Sequence, residues 1–339
     1  MIVTYIRSSS FNNYAYCQMQ YFITYVLGYQ PDSGKKAELG TIVHKVMEVL
    51  AKLKKFAQDN PSASRLIVED DAVGKIDIKK TELLTKGFVN GLLQKSFHFY
   101  SSASKHNFTK ADSNNCMQLV LDTLSYNDGQ FDPRNRTIIA AEPHFDIPID
   151  EPWAYYEYEI NGQKIKGQLA IKGTIDLVTE SSDGIIEVID WKTGKRLDWA
   201  TGEEKTYEKL CNDPQLLLYN YAISKLFPQY KQSIMSIFFI KDGGPFSMCF
   251  DKSDEKRFLK MLKDRFTEIQ KNNAPKPISE TRESWKCTKL CHYCKNNWPG
   301  TDQNMCIYIE NSIKNKGIEQ TVKDCTKPGF DIGFYSAPG

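Results

Sequence analysis

The sequence GTIDLVTESSDGIIEVIDWKTG runs from Gly173 to Gly194 and predicts the centre of the fold. β-Branched and other apolar residues form two runs, separated by the polar segment Glu180–Gly184. Two such runs divided by Ser, Asp and Gly predict a β-hairpin. The first run carries Asp176, and the second ends in Asp190-Trp191-Lys192.

Three charged side chains are expected to meet at the end of this hairpin. Side chains alternate across a strand, so Asp190 and Lys192 share one face and Trp191 lies on the other. Asp176, on the neighbouring strand, can reach the face of Asp190. Burying charges is costly unless they are paired or bind a metal, and Mg²⁺ or Mn²⁺ prefers such oxygen ligands. Lys192 would then position or deprotonate a water, or neutralise charge. For the D-x-K pattern alone, a solvated hairpin with an incidental ion pair is an equal alternative.

Four motifs together resemble a known family. Asp176, followed by Asp190-Trp191-Lys192, is similar to the D…(D/E)-x-K core of the PD-(D/E)XK nucleases. Gly40-Thr-Ile-Val-His44 resembles the G-x-x-x-H helix of the RecB-like branch, and Gln215-Leu-Leu-Leu-Tyr219 resembles its Q-x-x-x-Y helix. The motifs occur in the family's order, and the resemblance extends from about residue 7 to about residue 306.

The resemblance implies an α/β fold with a restriction-endonuclease-like core. This core would be a central mixed sheet flanked by helices, with a helical insertion and a C-terminal, metal-bound cysteine region. We expect N-terminal helices over residues 1–56, the insertion over 57–136, the nuclease core over 137–272 and the cysteine region over 273–339.

Helical spacing of apolar residues supports this arrangement. It predicts helices over residues 7–27, over Gly40–Phe56, around Lys80–Tyr100 and around Asn115–Ser125. Cys17 lies on the aromatic stripe of the first helix, where a small core residue is a common fate for cysteine.

The resemblance also assigns roles to individual residues. The implied catalytic residues are Asp176, Asp190, Lys192, Gln215 and Tyr219. The implied metal ligands are a ring nitrogen of His44, the carboxylates of Asp176 and Asp190, and the carbonyl of Trp191. Gln215 would hydrogen-bond a phosphate or Lys192, and Tyr219 would stack on a base or bind a phosphate. A packing helix with Tyr219 in the core is the alternative.

Two glutamates stand near these motifs. Glu48 follows His44 by four residues and, on a helix, would orient the second ring nitrogen of His44. Glu142 precedes the core strands, where RecB-like proteins often carry an acidic residue. It would either support a second metal or lie on the surface of a strand, and the sequence leaves both open.

Four of the nine cysteines, Cys287, Cys291, Cys294 and Cys306, lie close together in the sequence. In an intracellular chain this spacing favours metal over disulfides, and the four could form a structural Zn²⁺ site. RecB-like nucleases with a [4Fe–4S] cluster instead combine one early cysteine with a later C-x-x-C-x-x-x-x-x-C pattern. That implies Cys17, Cys291, Cys294 and Cys306 as cluster ligands, with Cys287 as an alternative ligand. Because the spacing to Cys306 is longer here, zinc and the cluster both stay open.

The bulk composition sets few limits on function. A net charge of +2 neither supports nor excludes nucleic-acid binding, because a nuclease needs only a local basic groove. No run of about 18 apolar residues predicts a membrane span, and MIVTYIRSSSFNNYAYC lacks the regions of a signal peptide. We therefore expect a cytoplasmic protein. Gly34-Lys35-Lys36 does not complete a Walker A loop, so no motor activity is expected.

These observations lead to the hypothesis of a Mg²⁺- or Mn²⁺-dependent deoxyribonuclease, acting as an exonuclease or on single-stranded ends. The chain is similar to iron–sulfur nucleases of CRISPR adaptation and of the AddB type, and to phage or mobile-element recombination nucleases. The implied partners are DNA, as single strands or duplex ends, and a protein with helicase or recombination activity; no membrane is expected. The alternatives are a non-catalytic DNA-binding or scaffold subunit with a nuclease fold, and a zinc-dependent DNA-binding protein.

Overall fold

The computed structural model of the protein describes residues 1–160, 163–181, 183–198, 201–242 and 244–330. The α-helices are α1 Ser8–Tyr16, α2 Gln18–Tyr21, α3 Lys35–Asp59, α4 Lys86–Ala103, α5 Lys110–Ser125, α6 Tyr207–Cys211, α7 Pro214–Leu226, α8 Lys252–Lys271, α9 His292–Lys295, α10 Met305–Lys316 and α11 Ile318–Cys325. The strands are β1 Tyr5–Ile6, β2 Arg65–Asp70, β3 Gly74–Lys79, β4 Thr137–Ala141, β5 His144–Pro148, β6 Tyr155–Ile160, β7 Gln163–Gln168, β8 Ala170–Thr174, β9 Leu177–Glu180, β10 Ile186–Lys192, β11 Ser233–Phe239 and β12 Gly244–Phe250. None of the helices in these ranges has the length and apolar character needed to cross a membrane.

The chain forms two compact units. One, called here the sheet unit, contains Ser33–His144 and Thr174–Asp254. The other, called the cysteine unit, contains Met1–Asp32, Phe145–Gly173 and the chain from Glu255 onward. The two units are defined by contacts between residues, whereas the four predicted segments were defined by the order of the sequence motifs. The two divisions are therefore not equivalent, and the predicted one stays a prediction.

A five-stranded mixed sheet forms the centre of the sheet unit, in the order β12-β11-β10-β9-β4. β10 is parallel to β11, and the other neighbouring pairs are antiparallel. β9 and β10 form the predicted hairpin, with Val188 paired to Val178. Of its turn, Ser182 lies outside the described residues. Asp176 directly precedes β9, and Asp190 and Lys192 lie at the end of β10.

Helix α3 supplies the largest apolar surface of the sheet unit. Its predicted apolar face is completely buried and comprises Val43, Val46, Met47, Leu50 and Leu53. These residues belong to one core with α4, α5 and the side chains of Ile138, Leu177 and Trp191 from the sheet. The helix begins at Lys35, five residues earlier than predicted, because Gly34 is the extended residue that precedes it.

The region between α3 and β4 contains more than the predicted helices. α4 and α5 confirm the helical periodicity around Lys80–Tyr100 and Asn115–Ser125. The hairpin of β2 and β3 was not predicted, although apolar residues pair across the two strands, Leu66 with Ile78 and Val68 with Ile76. Apolar residues alternate in β3, whereas Leu66, Ile67 and Val68 are consecutive in β2. A period of two across only six residues per strand is easily missed beside longer helical patterns.

The cysteine unit contains short strands and most of the C-terminal helices. β1 is parallel to β8, and β6 and β7 form an antiparallel hairpin. The prediction of one helix over residues 7–27 is wrong at Cys17. That residue has φ −157° and ψ 107°, an extended conformation that ends α1 and precedes α2. A π-helical turn, Phe22–Val26, follows α2.

Candidate active site

The end of strand β10 carries a close ion pair. The ammonium nitrogen of Lys192 lies 2.6 Å from Oδ2 of Asp190. Asp190 is only 2% exposed, while about a third of the Lys192 side chain (32%) reaches the surface. The two side chains lie together as the alternation of side chains along a strand predicts. They therefore present a buried carboxylate and a partly accessible cation at the same strand end.

Asp176 is held beside this pair by contacts from two other elements. Its Oδ2 accepts a 2.9 Å hydrogen bond from the backbone N–H of Trp191 on β10. The same oxygen lies 3.3 Å from Nδ1 of His44 on α3. The imidazole also packs edge-on against the ring of Trp191, with centroids 6.4 Å apart. The structure thus brings the predicted metal ligands His44 and Asp176 into contact.

Burial and mutual charge shift the pKa values in this cluster. Burial raises the pKa of Asp190 to about 6, with a further contribution from Asp176 and opposition from Lys192. Burial opposes the charged form of Asp176 as well, but His44 and Lys192 hold its pKa below the usual value. Burial disfavours the cations too, yet the two aspartates raise the pKa of both His44 and Lys192. Near neutral pH, Lys192 and Asp176 are therefore charged, and Asp190 is the carboxyl that protonates first on acidification.

Helix α7 supports the cluster from behind. Asp213 caps the helix by accepting a 2.9 Å hydrogen bond from the backbone N–H of Gln215. The Nε2 of Gln215 donates to Oδ1 of Asp190 at 3.0 Å and to the hydroxyl of Tyr219 at 2.9 Å. That hydroxyl donates to the carbonyl of Thr174 at 2.8 Å. The Q-x-x-x-Y helix thereby orients Asp190 and the backbone before Asp176.

These contacts bear on the alternatives predicted for Gln215 and Tyr219. Gln215 hydrogen-bonds Asp190, whereas a bond to Lys192 was one of the predicted alternatives. Tyr219 is only 5% exposed and its hydroxyl is engaged, so its ring is not available to stack on a base. Both residues contact this cluster through Asp190 and the carbonyl of Thr174.

A close contact with a neighbouring element explains why the G-x-x-x-H motif has glycine at position 40. A Cβ atom at Gly40 would lie 2.8 Å from Oγ1 of Thr193, which directly follows Lys192. The missing side chain lets α3 pass close to the end of β10, and His44 lies one turn further along the same helix. Thr193 was not predicted as a site residue; its place in the D-x-K-T-G sequence was the available signal.

Glu48 does not orient His44 as predicted. Its carboxylate forms ion pairs with Lys45, at 2.6 Å, and with Lys52. Asp70, on β2, lies 3.2 Å from both lysine nitrogens. Lys45 precedes Glu48 by three residues and Lys52 follows it by four, so both lie on the same side of helix α3 as Glu48. Their ammonium groups therefore pair with its carboxylate.

Glu142 belongs to the same charged group. Its carboxyl group hydrogen-bonds that of Glu48, and it is half-buried. Burial, followed by the hydrogen bond and charge of Glu48, raises the pKa of Glu142 to about 7. The structure therefore gives Glu142 a defined partner within the sheet unit, and it is not an ordinary solvated strand glutamate.

The donor set of the aspartate cluster fits a hard divalent cation. Asp176 and Asp190 offer carboxylate oxygens and His44 offers an imidazole nitrogen. Oδ2 of Asp190 is buried and accepts no well-aligned hydrogen bond from the described residues, although Lys192 is close by. In this structure the cation that pairs with this oxygen is Lys192, at 2.6 Å, and a divalent cation would bind the same carboxylate. The predicted use of the Trp191 carbonyl stays a prediction.

The cysteine unit contains a second candidate site. Five cysteine side chains line one small cavity: Cys17, Cys287, Cys291, Cys294 and Cys306. The thiol of Cys294 lies within hydrogen-bonding reach of those of Cys291, Cys306 and Cys287. All nine cysteines of the chain are free thiols. The extended conformation of Cys17 ends α1 at this point, so the break in the predicted helix coincides with the cavity.

The cavity favours the thiolate form at two of its cysteines. A hydrogen bond from Cys294, joined by backbone N–H groups, lowers the pKa of Cys291 to about 6. The hydrogen bond of Cys294 also lowers the pKa of Cys306, which the Arg282 guanidinium contacts as well. Burial raises the pKa of Cys17 to about 11. Thiolates are the metal-binding form of cysteine, so the chemistry of this group suits a thiolate-bound metal.

Neither group is a finished coordination site. Across the described part of the chain, no three or more His, Cys, Asp and Glu side chains are arranged to hold a metal ion as they stand.

Comparisons with known proteins identify the family. No curated protein matches the chain. A crystal structure named "Putative exonuclease", from Eubacterium rectale, has 12% sequence identity and a TM-score of 0.45, covering 93% of this chain and 94% of that one. The crystal structure of SSO0001 has 12% identity and a TM-score of 0.25, covering 76% of this chain and 93% of that one.

A match to a family, by contrast, extends over most of the sequence. The sequence model of the PD-(D/E)XK nuclease superfamily matches residues 8–298, which contain all four predicted motifs. The predicted superfamily and its mixed α/β fold class are thereby confirmed. The chain belongs to the PD-(D/E)XK nuclease superfamily.

Proposed function

We propose that this protein is a divalent-metal-dependent deoxyribonuclease of the RecB-like branch that acts inside the cell on single-stranded DNA or on duplex ends. The observation that carries this proposal is the contact of Lys192 with Asp190, at 2.6 Å, beside the contact of Asp176 with His44. All four residues occur at the positions that the motifs assign to them. A surface pair alone would not require Asp190 to be buried and Asp176 to be only 19% exposed.

The proposed ligands are His44, Asp176 and Asp190, with the carbonyl of Trp191 as a further candidate. Bound Mg²⁺ or Mn²⁺ would polarise the scissile phosphate and stabilise charge on the leaving oxygen. Gln215 keeps one oxygen of Asp190 oriented through its 3.0 Å hydrogen bond. The other oxygen pairs with Lys192 at 2.6 Å, and it would be shared between Lys192 and the metal ion.

Lys192 acts in this proposal as a fixed positive charge. The raised pKa of its ammonium group means that it stays protonated at neutral pH. Of the two roles considered for it, charge neutralisation in the transition state is therefore favoured over removal of a proton from water. Its partial exposure leaves the ammonium accessible to a phosphate. The products would carry 5′-phosphate and 3′-hydroxyl ends.

The preference for ends or single strands, and a protein partner with helicase or recombination activity, follow from the resemblance to the RecB-like branch. The absence of a complete Walker A sequence supports the need for such a partner when the substrate is duplex DNA. These assignments are proposals for this chain.

The test uses three labelled DNAs with Mg²⁺ or Mn²⁺: a single strand, a duplex labelled at either end, and a closed circular duplex. We expect degradation of the first two, protection of the circle, and complete loss of activity with a chelator. Lys192→Ala is expected to lower the rate by roughly a hundred- to a thousand-fold. The matched control is Lys55→Ala, because Lys55 is also about a third exposed (35%) and pairs with Asp59 at 2.7 Å on α3.

The outcomes separate the alternatives. Metal-independent binding of all three DNAs, without cleavage, would contradict the proposal and favour the non-catalytic DNA-binding or scaffold subunit. Cleavage of the circle would retain the metal-dependent nuclease and replace the exonuclease assignment with an endonuclease. Equal loss of activity in Lys55→Ala and Lys192→Ala would remove the special role of Lys192.

For the cysteine unit we propose a [4Fe–4S] cluster bound by Cys17, Cys291, Cys294 and Cys306. The supporting observation is that Cys17 lines the same cavity as the three later cysteines. The alternative is a Zn²⁺ ion bound by Cys287 and the three later cysteines, since Cys287 lines the cavity too. The cluster would join the N-terminal segment of Cys17 to the C-terminal cysteines, whereas zinc would join only residues 287–306 to one another; either role is structural.

The test is the absorption spectrum and the iron and zinc content of protein purified without oxygen. A brown protein with about four irons per chain supports the cluster. A colourless protein with about one zinc per chain supports the alternative. Protein without either metal would contradict both assignments.

A further inference from the structure

We propose that His144 binds a DNA backbone phosphate next to the one that is cut, with Thr174 fixing the orientation of its imidazole. The inference rests on the proposed metal-dependent nuclease, and it adds a substrate contact that none of the four motifs contains. It depends on one side-chain contact, on the place of that contact beside Asp176, and on the chemistry of the imidazole. These residues all belong to the sheet unit.

The side chains of His144 and Thr174 are in direct contact. Nδ1 of His144 lies 2.7 Å from Oγ1 of Thr174, which is hydrogen-bonding distance. His144 is exposed at the start of β5, whereas Thr174 is half-buried at the end of β8. Within the described part of the chain, the second ring nitrogen, Nε2, has no hydrogen-bond partner. The imidazole is therefore held at one nitrogen and accessible to a ligand at the other.

Hydrogen bonds connect Thr174 to the aspartate cluster. Its carbonyl accepts a 2.8 Å hydrogen bond from the hydroxyl of Tyr219. Gln215 donates to that hydroxyl at 2.9 Å and to Oδ1 of Asp190 at 3.0 Å. The backbone of Thr174 is therefore fixed relative to Asp190, and the imidazole of His144 contacts the side chain of that fixed residue.

The side chain of Thr174 lies on the same side of the chain as that of Asp176. Ile175, between them, is completely buried, whereas Thr174 is half-buried and the Asp176 side chain is 19% exposed. In extended chain, residues two apart share a face and lie roughly 6–7 Å apart. The N–H of Ile175 donates to the carbonyl of Pro143 at 3.2 Å, which keeps the segment of His144 alongside. The imidazole therefore lies on the accessible side of the site, one two-residue step from Asp176.

An imidazole held in this way suits an anionic partner. A threonine hydroxyl can donate a hydrogen bond or accept one. Thr174 can therefore donate to Nδ1 of a neutral ring, which leaves the proton on Nε2, or accept from Nδ1 of a protonated ring. In both of these forms, Nε2 carries a proton and can donate to a phosphate oxygen. A DNA strand with its scissile phosphate at the aspartate cluster presents a neighbouring phosphate to this nitrogen.

The first experiment determines which phosphate His144 contacts. A fluorescent single strand is made in versions that each carry one uncharged methylphosphonate linkage, and binding is measured by anisotropy with Ca²⁺ in place of Mn²⁺. In the wild-type protein, one linkage beside the cut position should lower the affinity roughly ten-fold, because a charge-assisted hydrogen bond is lost. In His144→Ala, changing that linkage should have no further effect, since the contact is already absent. Every other linkage should affect the two proteins equally.

The second experiment separates binding from catalysis. His144→Ala should raise KM for DNA roughly ten-fold and leave kcat within about two-fold of the wild-type value, because His144 contacts neither the scissile phosphate nor the metal ion. His144→Gln keeps a neutral donor and should recover most of the affinity. Thr174→Val removes only the hydroxyl and should weaken binding roughly three-fold, whereas Thr174→Ser should not. His98→Ala is the control, because His98 is also exposed, on helix α4.

Each outcome has a distinct meaning. Equal effects of every methylphosphonate on the wild-type protein and on His144→Ala would overturn the phosphate contact. A fall in kcat without a rise in KM would also overturn it and would place His144 in the catalytic machinery. If the linkage-specific effect appears but the wild-type protein does not cleave DNA with Mn²⁺, the contact stands and the proposed function fails. Cleavage without any linkage-specific effect has the opposite meaning.

Discussion

The aspartate–lysine site of the sheet unit and the cysteine cavity of the cysteine unit differ in how far apart their residues lie in the sequence. Asp176, Asp190 and Lys192 come from one hairpin, and the alternation of side chains along β10 alone brings Asp190 and Lys192 together. In the cavity, Cys17 meets Cys287 and the later cysteines across most of the chain. The residues of the first site are therefore predictable from the pattern of one hairpin. The residues of the second site meet only because distant segments of the chain pack together.

The largest expected effect tests the local site. Asp190→Asn keeps the size of the side chain but removes the buried charge that pairs with Lys192. We expect DNA hydrolysis to fall by roughly a thousand-fold, because several kcal/mol of transition-state stabilisation depend on a bound metal. The measurement is the single-turnover rate with saturating Mn²⁺, and Asp59→Asn on α3 serves as the control. Full activity in Asp190→Asn would mean that this hairpin is not the catalytic site.

The next effect tests the distant site. Cys17→Ser is expected to lose most of the bound iron, because a cluster with one ligand missing is labile, while Cys287→Ser should keep it. Iron is counted per chain after anaerobic purification. Cys116→Ser is the control, since Cys116 is fully buried but does not line the cavity. The reverse pattern, with zinc lost in Cys287→Ser and retained in Cys17→Ser, would support the four-cysteine zinc site.

An intermediate effect concerns pH. Metal binds deprotonated ligands, and the pKa of Asp190 is raised to about 6. The pKa of His44 is also raised, whereas that of Asp176 is lowered, so Asp176 stays ionised over this range. On acidification below pH 6, Mn²⁺ affinity in calorimetry should therefore fall, approaching about a hundred-fold per pH unit as two protons compete.

His44→Gln distinguishes the contribution of the His44 proton to this pH dependence from that of the Asp190 proton. Without the imidazole, only Asp190 competes, and the limiting slope should drop to about ten-fold per pH unit. An unchanged slope in His44→Gln would show that His44 is not a ligand. An affinity that stays constant down to pH 5 would contradict the raised pKa of Asp190.

The smallest expected effect tests the close contact between Gly40 on α3 and Thr193 at the end of β10. Gly40→Ala places a Cβ atom 2.8 Å from Oγ1 of Thr193, so α3 or Thr193 must move by a few tenths of an ångström. We expect a several-fold loss of activity with stability changed by only about 1 kcal/mol, because alanine also favours the helix. Activity and thermal unfolding are measured in parallel. Adding Thr193→Ala should restore activity; no recovery would place the cause elsewhere on α3.

Some elements were predictable because their signal is local. The alternation along β10 places Asp190 and Lys192 together, and the periodicity of α3 identifies its buried face. The hairpin of β2 and β3 was missed because its strands are short, and the break at Cys17 was missed because aromatic spacing continues across it. The partner of Glu48 was predicted wrongly, since helical spacing brings Lys45 and Lys52 near Glu48 as well as His44, and Glu142 comes from another element.

The sequence by itself determined the superfamily, the central hairpin and the identity of the four motif residues, because each depends on residue types at short, regular spacing. The tertiary structure decided which partners those residues meet. Gln215 hydrogen-bonds Asp190, and the missing side chain of Gly40 leaves room for Thr193. The carboxyl group of Glu142 contacts that of Glu48. These contacts join segments far apart in the chain, and only the packing of helices on the sheet brings such segments within hydrogen-bonding distance.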